Sequence, residues 1–442
     1  MIVLTNVTVI NFFPASVQAG QDVVIDGSRI IAVGAGVADS YPGGYRLNME
    51  GKIVMPGLVC SHNHFYSGLA RGITANINPS PDFVSVLRNL WWRLDRALDE
   101  EILYYSGMVC SLEAIRCGTT AVIDHHASPA FIKGSLAILK KAFEATGLRG
   151  ITCYETTDRN GGLREVAAGI EENVEFARLC EQDKQTSGGN HLVEAMIGGH
   201  APVTLPDQAL ELMAGAVRAT GRGIHVHVAE DRYDVSHSHH IYGQDVIARL
   251  DKFGLITDKA LLVHGVYLSD QDIATINERD AFLAHNARSN MNNHVGYNHK
   301  LPLYKNLVLG TDGMGSDMWD ETRFAYFKHK DAAGPLWPDS YLKFLYNGNE
   351  LLSRYFDSDF GRVASGCKAD LTVLDYLPPT PLVPGNIGGH IAFGISSRDV
   401  TTVIINGRIV LENRQFAFDA GPVYARARQA AQRLWDKMDQ LP

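Results

Sequence analysis

The pattern of apolar and polar positions changes twice along this chain. Up to about residue 55, short apolar runs alternate with turns, and the same texture returns at 370–374 and 403–410. Within the second of these, Asn406-Gly407 is the dipeptide of a tight hairpin turn. Two β-rich ends around a different middle predict one small sheet domain built from both ends of the chain. Two separate small sheets would leave the same pattern, so that alternative stays open.

The middle of the chain alternates between strand-like apolar runs and longer segments with helical periodicity, such as Leu87 to Ala97 and Ala209 to Ala219. Eight β-then-α units correspond to a (β/α)8 TIM barrel, whose active site lies at the C-terminal ends of its strands. An open doubly wound sheet is the alternative, but no GxGxxG or other glycine-rich phosphate loop opens a predicted helix. The predicted strands are 57–62, 119–124, 149–155, 192–199, 223–229, 260–264, 280–285 and 306–311.

Composition narrows the class of partner. The chain has 442 residues, 45% of them hydrophobic and 20% charged, as in ordinary globular proteins. A formal net charge of -9 argues against a nucleic acid or an anionic membrane as the main partner, and no stretch approaches the roughly 18 apolar residues of a membrane span. The first residues carry no basic, cleavable leader, and the 6 cysteines contain no CxxC pair. We therefore expect a cytoplasmic protein with reduced thiols and with no nucleic-acid or membrane partner.

The segment His62-Asn63-His64 is the first candidate for chemistry. It closes the apolar run 53–61, which predicts a buried strand. Residues i and i+2 of a strand point to one face, so the two imidazoles leave the strand side by side, where they can bind one divalent metal ion. An HxH pair is common by chance, and its weight comes from the ends of three later predicted strands.

Those three strand ends supply the groups that a metal site still needs. Strand five ends in His227 and is followed by Glu230, strand six ends in His264, and strand eight ends in Asp312. In a barrel these ends meet at one mouth. Three imidazoles and one carboxylate around Zn2+ or Fe2+ leave a position for water, as catalytic sites do. Asp312 can contact the metal and accept a proton, His264 can steer the water, and Glu230 can reach the substrate.

These motifs resemble the mononuclear branch of the amidohydrolase superfamily, and within it the ATZ/TRZ group of guanine and cytosine deaminases and triazine hydrolases. The resemblance runs nearly from end to end of the chain. Besides the HxH pair, it is carried by Met55-Pro56-Gly57-Leu58-Val59, Gly118-Thr119-Thr120, His227-x-x-Glu230, His285-Asn286-x-x-Ser289-Asn290, Gly310-Thr311-Asp312-Gly313 and Gly366-Cys367-Lys368-Ala369-Asp370-Leu371.

The resemblance implies a site, an architecture and an assembly. It implies one divalent metal ion per chain, Zn2+ first and Fe2+ second, because strand four lacks the lysine that bridges two metals in binuclear relatives. A TIM barrel of residues 57–364 would carry a small composite β-sandwich from residues 1–56 and 365–442, the latter including a C-terminal helix. A homo-oligomer, a dimer in particular, is also implied. The implied metal ligands are His62, His64, His227 and Asp312, and the implied catalytic residues are Glu230, His264 and Asp312.

A second likeness points to a purine-derived substrate. Cys60 to Gly68, Asn89 to Asp95, His125 to Pro129 and Gly334 to Asp339 resemble a group of bacterial aminohydrolases associated with purine and uric-acid breakdown. Where many relatives have a proline after the strand-seven His-Asn pair, this chain has alanine and then Arg288. We predict that Arg288 helps to select the substrate by offering its planar guanidinium to an anionic or carbonyl-rich edge of an oxidised purine. An ordinary surface arginine is the alternative.

Other histidines near the predicted mouth are less decisive. His125 after strand two and His200 after strand four are predicted as substrate contacts, with loop packing as an equal alternative. His225 shares a face with the strand-five ligand, where it can at most support that ligand. A solvated helix or lid, rather than a second metal site, is indicated for the cluster of His237, His239 and His240.

The predicted activity is hydrolysis of a non-peptide C–N bond in a small nitrogen heterocycle, purine-derived first, by metal-activated water. Either ammonia leaves or a ring C–N bond opens, and the residues do not decide between these outcomes. A catalytically silent scaffold is one alternative, and it predicts loss of a metal or proton-transfer residue, yet all six are present. A metal-dependent lyase or isomerase is the other, and it would add no water to the substrate.

Overall fold

The protein is described by a computed structural model that covers residues 1–441. Strands occupy both ends of the chain, and strands alternate with helices in between. The strands are β1 Ile2–Phe12, β2 Ala15–Asp26, β3 Arg29–Gly34, β4 Tyr45–Asn48, β5 Ile53–Pro56, β6 Leu58–Asn63, β7 Thr119–His126, β8 Arg149–Tyr154, β9 Val193–Ala195, β10 Ile197–Gly199, β11 Ile224–Val228, β12 Leu261–His264, β13 Phe282–His285, β14 Leu307–Leu309, β15 Leu371–Leu374, β16 Val400–Ile405, β17 Arg408–Glu412 and β18 Gln415–Phe416. The α-helices are α1 Phe83–Val86, α2 Trp92–Ala97, α3 Glu100–Arg116, α4 Ser135–Thr146, α5 Leu163–Thr186, α6 Asp207–Thr220, α7 Arg232–Tyr242, α8 Val246–Lys252, α9 Asp270–Glu278, α10 Ala287–Asn292, α11 Met318–Asp331, α12 Ser340–Phe356, α13 Ile387–Phe393 and α14 Gly421–Asp439.

Strands from both ends of the chain share one nine-stranded sheet. Its order is β18-β17-β16-β15-β5-β1-β2-β3, with β4 paired to β1. The two chain ends join where β15 pairs antiparallel with β5, so that Leu371 lies opposite Pro56 and Leu374 lies opposite Ile53. The alternative of two separate small sheets is therefore wrong. Apolar side chains from both ends pack in one buried cluster that includes Leu4, Val23, Val54, Leu371 and Ile404.

The middle of the chain forms two parallel sheets, β6-β7-β8-β9 and β10-β11-β12-β13-β14. All eight predicted strand regions contain strands, and the fourth is divided in two because its hydrogen bonding changes partner from β8 to β11 between Ala195 and Ile197. At the other edges, Asn63 forms a parallel bridge with Asp312, just beyond β14. The carboxyl ends of strands from both sheets therefore lie close together.

The junction between the nine-stranded sheet and the parallel strands contains a buried ion pair. Arg149, at the start of β8, places its Nε 2.6 Å and its Nη2 3.1 Å from the two carboxylate oxygens of Asp370. The guanidinium also lies over the rings of Phe356 and Phe360, at 4.8 and 4.9 Å. This bidentate contact fixes the two layers against each other. No helix within residues 1–441 combines the length and the apolar character needed to cross a membrane.

Candidate metal centre and active site

Four side chains from three strand ends form a compact cluster. His62 and His64 come from the end of β6, His227 from β11, and Asp312 from the turn after β14. One potential ligand atom from each lies within 4.8 Å of those of the others. The alternation of side chains along a strand puts both β6 imidazoles on the same face, as the sequence predicts. The predicted metal ligands are therefore brought together in space.

Hydrogen bonds fix which ring nitrogen each histidine turns inward. The Nδ1 of His64 donates to the carbonyl of His125 at 2.7 Å, and the Nδ1 of His227 donates to the carbonyl of His200 at 2.8 Å. A carbonyl oxygen only accepts, so each ring carries a proton on Nδ1 and turns its Nε2 toward the cluster. Such backbone partners are typical of histidines that bind metals.

His62 is held by another histidine. Its Nδ1 lies 2.9 Å from the Nε2 of His225, whose own Nδ1 lies 3.6 Å from the Sγ of Cys153. Burial lowers the pKa of His62 to about 3, so the ring is neutral, which is the form that binds a metal. Its Nε2 is buried and has no hydrogen-bond partner among residues 1–441. A buried ring nitrogen without a hydrogen-bond partner, inside a cluster of ligand atoms, fits a bound cation.

Asp312 closes the cluster opposite the β6 histidines. One carboxylate oxygen lies 2.9 Å from the Nε2 of His64 and 3.5 Å from the Nε2 of His62, and the other accepts a hydrogen bond from Ser289. Burial opposes ionisation, but the contacts with both histidines hold the pKa of Asp312 well below its ordinary value. Its backbone has a φ of 54°, a region that non-glycine residues occupy mainly where the surroundings enforce it. The backbone conformation at Asp312 thus directs its carboxylate toward the histidines.

Together these residues fit one divalent metal ion. The donor set is three imidazole nitrogens and one carboxylate oxygen, which suits zinc or iron(II) and leaves a position for water or substrate. The residues that would hold the ion are His62, His64, His227 and Asp312.

The predicted proton-transfer residues lie beside this cluster. Glu230, His264 and Asp312 each offer an atom within 4.8 Å of those of the other two, and Glu230 Oε2 is 3.4 Å from His264 Nε2. The Nδ1 of His264 donates to the side-chain oxygen of Asn290 at 2.8 Å, so its Nε2 is left to face Glu230. Burial, and then the negative charges of Asp312 and Asp234, raise the pKa of Glu230 well above its ordinary value. This shift favours the protonated form of Glu230, which is the form that can donate a proton.

A partly enclosed cavity of about 110 Å³ lies over both groups. Its wall includes the candidate ligands His64, His227 and Asp312, together with Glu230. Apolar side chains form most of the remaining surface, Trp91 among them. A mostly apolar recess with a few convergent polar groups is the usual form of a small-molecule site.

Comparison with known proteins identifies the family. The model of the amidohydrolase family matches residues 53–410, more than half of the chain. This chain belongs to the amidohydrolase family. The predicted class of enzyme, an amidohydrolase, is confirmed.

Its relatives include enzymes that act on purine nucleosides by name. A 5-methylthioadenosine/S-adenosylhomocysteine deaminase of Pelotomaculum thermopropionicum is 30% identical over 434 residues, 95% of each chain. A 5'-deoxyadenosine deaminase of Methanosarcina mazei is 27% identical over 449 residues, 98% of each chain. Among solved structures, a zinc-bound adenosine deaminase from Xanthomonas campestris gives a TM-score of 0.83 at 24% identity over 98% of each chain. The zinc complex of atrazine chlorohydrolase from Arthrobacter aurescens TC1 gives 0.82 at 20% identity, covering 98% of this chain and 100% of that one. At these identities the structures establish the shared fold.

The structure separates the predicted substrate contacts. His200 lines the cavity, as predicted for a contact. His125 is fully buried, and its Nε2 donates to the carbonyls of Gly199 and His225, each at 3.1 Å. Because these hydrogen bonds tie its ring to the backbone of neighbouring strands, His125 packs beneath the cavity and does not form part of its wall.

Arg288 lies away from the cavity wall, contrary to the predicted contact. Its Nε is 2.6 Å from a carboxylate oxygen of the fully buried Glu321, and its Nη2 donates to the carbonyl of Gly315 at 3.1 Å. The guanidinium thus neutralises a buried acid on α11 and is not available to a ligand. The surface histidines behave as predicted for a solvated helix: His239 and His240 are exposed on α7, and His239 pairs with Asp245 at 2.8 Å.

Among the residues of the cavity wall, sequence reasoning missed the charged side chains of Glu155 and Arg159. Glu155 follows β8 directly, so the rule that found the other residues, polar side chains at strand carboxyl ends, could have found it. Burial raises the pKa of its carboxyl, but the electrostatic interaction with His200, the contact with His125 Nδ1 and the charge of Arg159 outweigh this and hold the pKa below the ordinary value. A buried, ionised carboxylate therefore faces the cavity.

Proposed function

We propose that this amidohydrolase is a mononuclear zinc-dependent aminohydrolase that removes the amino group of a purine-type heterocycle. The observation that carries the proposal is the placement of Glu230 and His264 against Asp312, at the edge of the cluster formed with the three ligand histidines. The deaminase names of two relatives that match nearly the whole chain support a purine-type substrate. The zinc reported in two structures of the same fold supports the choice of metal.

The chemistry divides among the residues as follows. A divalent ion held by the cluster supplies Lewis acidity, which makes water a nucleophile near neutral pH. Glu230 donates its proton to the ring nitrogen beside the attacked carbon and so makes that carbon more electrophilic. His264 and Asp312 orient the water and take a proton from it. A C–O bond forms and the C–N bond to the amino group breaks. One proton of the water passes to the departing amino group, which leaves as ammonia. The other, lost from the new C–OH group, returns to Glu230, so the product carries a C=O group beside the protonated ring nitrogen.

The residues around the cavity favour this reaction by excluding water and by holding the reacting groups in place. Enclosure by Trp91, Trp92 and Tyr66 reduces access of bulk water, which strengthens electrostatic interactions inside. Hydrogen bonds to backbone carbonyls and to Asn290 hold His64, His227 and His264 in place before substrate arrives. Such preorganisation lowers the cost of reaching the transition state.

The test is a reaction panel with product masses. The zinc-loaded protein is incubated with adenine, guanine, their 5'-substituted nucleosides and cyclic amides of similar size, and ammonia and product mass are measured. We expect ammonia and the exchange of an amino group for oxygen with at least one purine. Ring opening, which adds one water without releasing ammonia, would replace the proposed outcome by cyclic-amide hydrolysis. A product isomeric with its substrate would instead indicate an isomerase.

We also propose the finer architecture and location of the protein. The two parallel sheets form one (β/α)8 barrel of residues 57–364, which the bridge between Asn63 and Asp312 supports. Residues 1–56 and 365–442 form the composite β-sandwich, which the pairing of β5 with β15 supports. A cytoplasmic location is supported by the cysteines, all six of which are free thiols.

A further inference from the structure

One wall of the cavity carries a charged pair that the proposed mechanism does not use. Glu155 follows β8, and Arg159 lies four residues later in the next loop. The Nη2 of Arg159 is 3.2 Å from Glu155 and 2.7 Å from Asp95. Both members of the pair line the cavity, although their side chains are only 3% and 7% exposed. Charges buried this deeply in the wall of a cleft are candidates for ligand recognition.

Neither member is saturated by the protein. Arg159 has five N–H donors, and its buried Nε has no hydrogen-bond partner within residues 1–441. The carboxylate of Glu155 has about four acceptor positions. Its close ion-pair contacts are His125 Nδ1, at 3.2 Å, and Arg159. Because buried polar atoms are nearly always hydrogen-bonded, a spare donor and a spare acceptor side by side indicate a ligand with the complementary pattern.

Glu155 and Arg159 are positioned to contact the part of a substrate that lies away from Glu230 and His264. Glu155 offers an oxygen within 4.8 Å of ligand atoms of His200 and His227, whereas Glu230 is grouped with His264 and Asp312. The two groups share no member and are connected through the metal ligands. A ring lying over those ligands therefore turns one edge to Glu230 and another edge to Glu155 and Arg159.

His200 adds an acceptor to the same wall. The hydroxyl of Thr204 donates to the carbonyl of Ala201 at 3.2 Å and so accepts the 2.7 Å hydrogen bond from the Nδ1 of His200. With its proton on Nδ1, the ring has its lone pair on Nε2. This wall thus offers two acceptors, Glu155 and His200, around one guanidinium donor.

We propose that Glu155 and Arg159 form a subsite for a lactam edge, in which an N–H group stands beside a C=O group. The N–H donates to Glu155, and the carbonyl oxygen accepts from Arg159. Resting on the proposed function, this assigns the substrate to the oxo-substituted purine bases, with the lactam edge turned away from Glu230. A purine without a lactam leaves the buried carboxylate and guanidinium unpaired, which is costly.

A second metal ion is the competing occupant, because Glu155 also groups with His64 and His125 and with His200 and His227. The guanidinium of Arg159, 3.2 Å from the carboxylate, opposes it, since a second cation there would face a fixed positive charge. Metal content therefore forms part of the test.

The experiment compares adenine with 2-oxoadenine and 8-oxoadenine, which share the amino group and differ in carrying a lactam. Binding is measured by calorimetry on zinc-loaded protein with Glu230→Gln, so that turnover does not interfere, and ammonia release is measured in parallel on the unmodified enzyme. We expect at least one oxo derivative to bind about tenfold or more tighter than adenine, as a charged hydrogen bond provides. Glu155→Gln and Arg159→Met should each remove this difference between the oxo derivatives and adenine.

Glu165→Gln is the matched control, because Glu165 is buried and accepts hydrogen bonds from the backbone N–H groups of Asn160 and Gly161 in the same loop. It should keep the preference for the lactam. Equal binding of all three compounds, or no binding of any, overturns the proposal, as does an equal loss in all three variants. Loss of a second metal equivalent in Glu155→Gln also overturns it. Ammonia from adenine without a lactam preference would leave the proposed deamination intact, whereas a lactam preference without ammonia would overturn the deamination alone.

Discussion

The sharpest test of the mechanism is the exchange of Glu230 for glutamine. Glu230 is 8% exposed, its carboxyl lies 3.4 Å from His264 Nε2, and its pKa is raised by burial and by Asp312 and Asp234. Glutamine has nearly the same shape and can still donate a hydrogen bond, but it cannot release a proton. The variant therefore removes proton transfer while it preserves packing.

The expected decrease in kcat follows from the loss of proton transfer by Glu230 alone. General acid–base catalysis contributes about 10²–10⁴ in rate, so kcat should fall by that factor. At about 1.36 kcal/mol per tenfold, this corresponds to roughly 3–5 kcal/mol of transition-state stabilisation. KM should change little, because the shape of the cavity wall is kept.

The assay is ammonia release at saturating substrate, with zinc content measured on the same sample. Glu172→Gln is a matched control: Glu172 is also buried, at 6% exposed, but accepts hydrogen bonds from the backbone of Gly134 and Leu136. It should keep its activity. A Glu230→Gln enzyme that holds its zinc and works within a few-fold of the original rate, far inside the range of about 10²–10⁴, would refute the assigned role. Loss of zinc would instead make Glu230 a ligand.

Three further predictions concern the metal ligands and Arg288. The enzyme should contain one zinc or iron per chain, and His62→Ala should remove it without a loss of circular dichroism; two equivalents in the original protein would contradict the site. His225→Ala should weaken metal binding roughly 10–100-fold in a chelator competition, because His62 loses the partner that orients it; unchanged affinity would mean that this contact has no such role. Arg288→Met should lower the free energy of unfolding in urea by about 3–5 kcal/mol, since it leaves the buried Glu321 unpaired. A raised KM without loss of stability would restore Arg288 as a substrate contact.

The candidate metal cluster could be predicted because the pattern that indicates it is found within single strands and at their ends. A strand repeats every two residues, so His62 and His64 share a face whatever surrounds them. Parallel strands deliver their carboxyl ends to one edge, so the residues that end β6, β11 and β14 could be assigned to one site from their positions along the chain. Glu230 and His264 could be assigned to the same site by the same reasoning.

The partner of each charged side chain could not be predicted, because it is set by residues distant in sequence. Arg288 was expected at the substrate, yet it pairs with Glu321 on another helix, 33 residues away. Arg159 pairs with Asp95, 64 residues away, and so holds its guanidinium in the cavity wall. Periodicity reports which face of an element is buried, but not which neighbouring element lies against it. The sequence by itself therefore determined the candidate metal ligands and the class of chemistry. Only the tertiary structure decided which arginine lies in the cavity wall, because a guanidinium goes where a buried carboxylate lowers the cost of its desolvation.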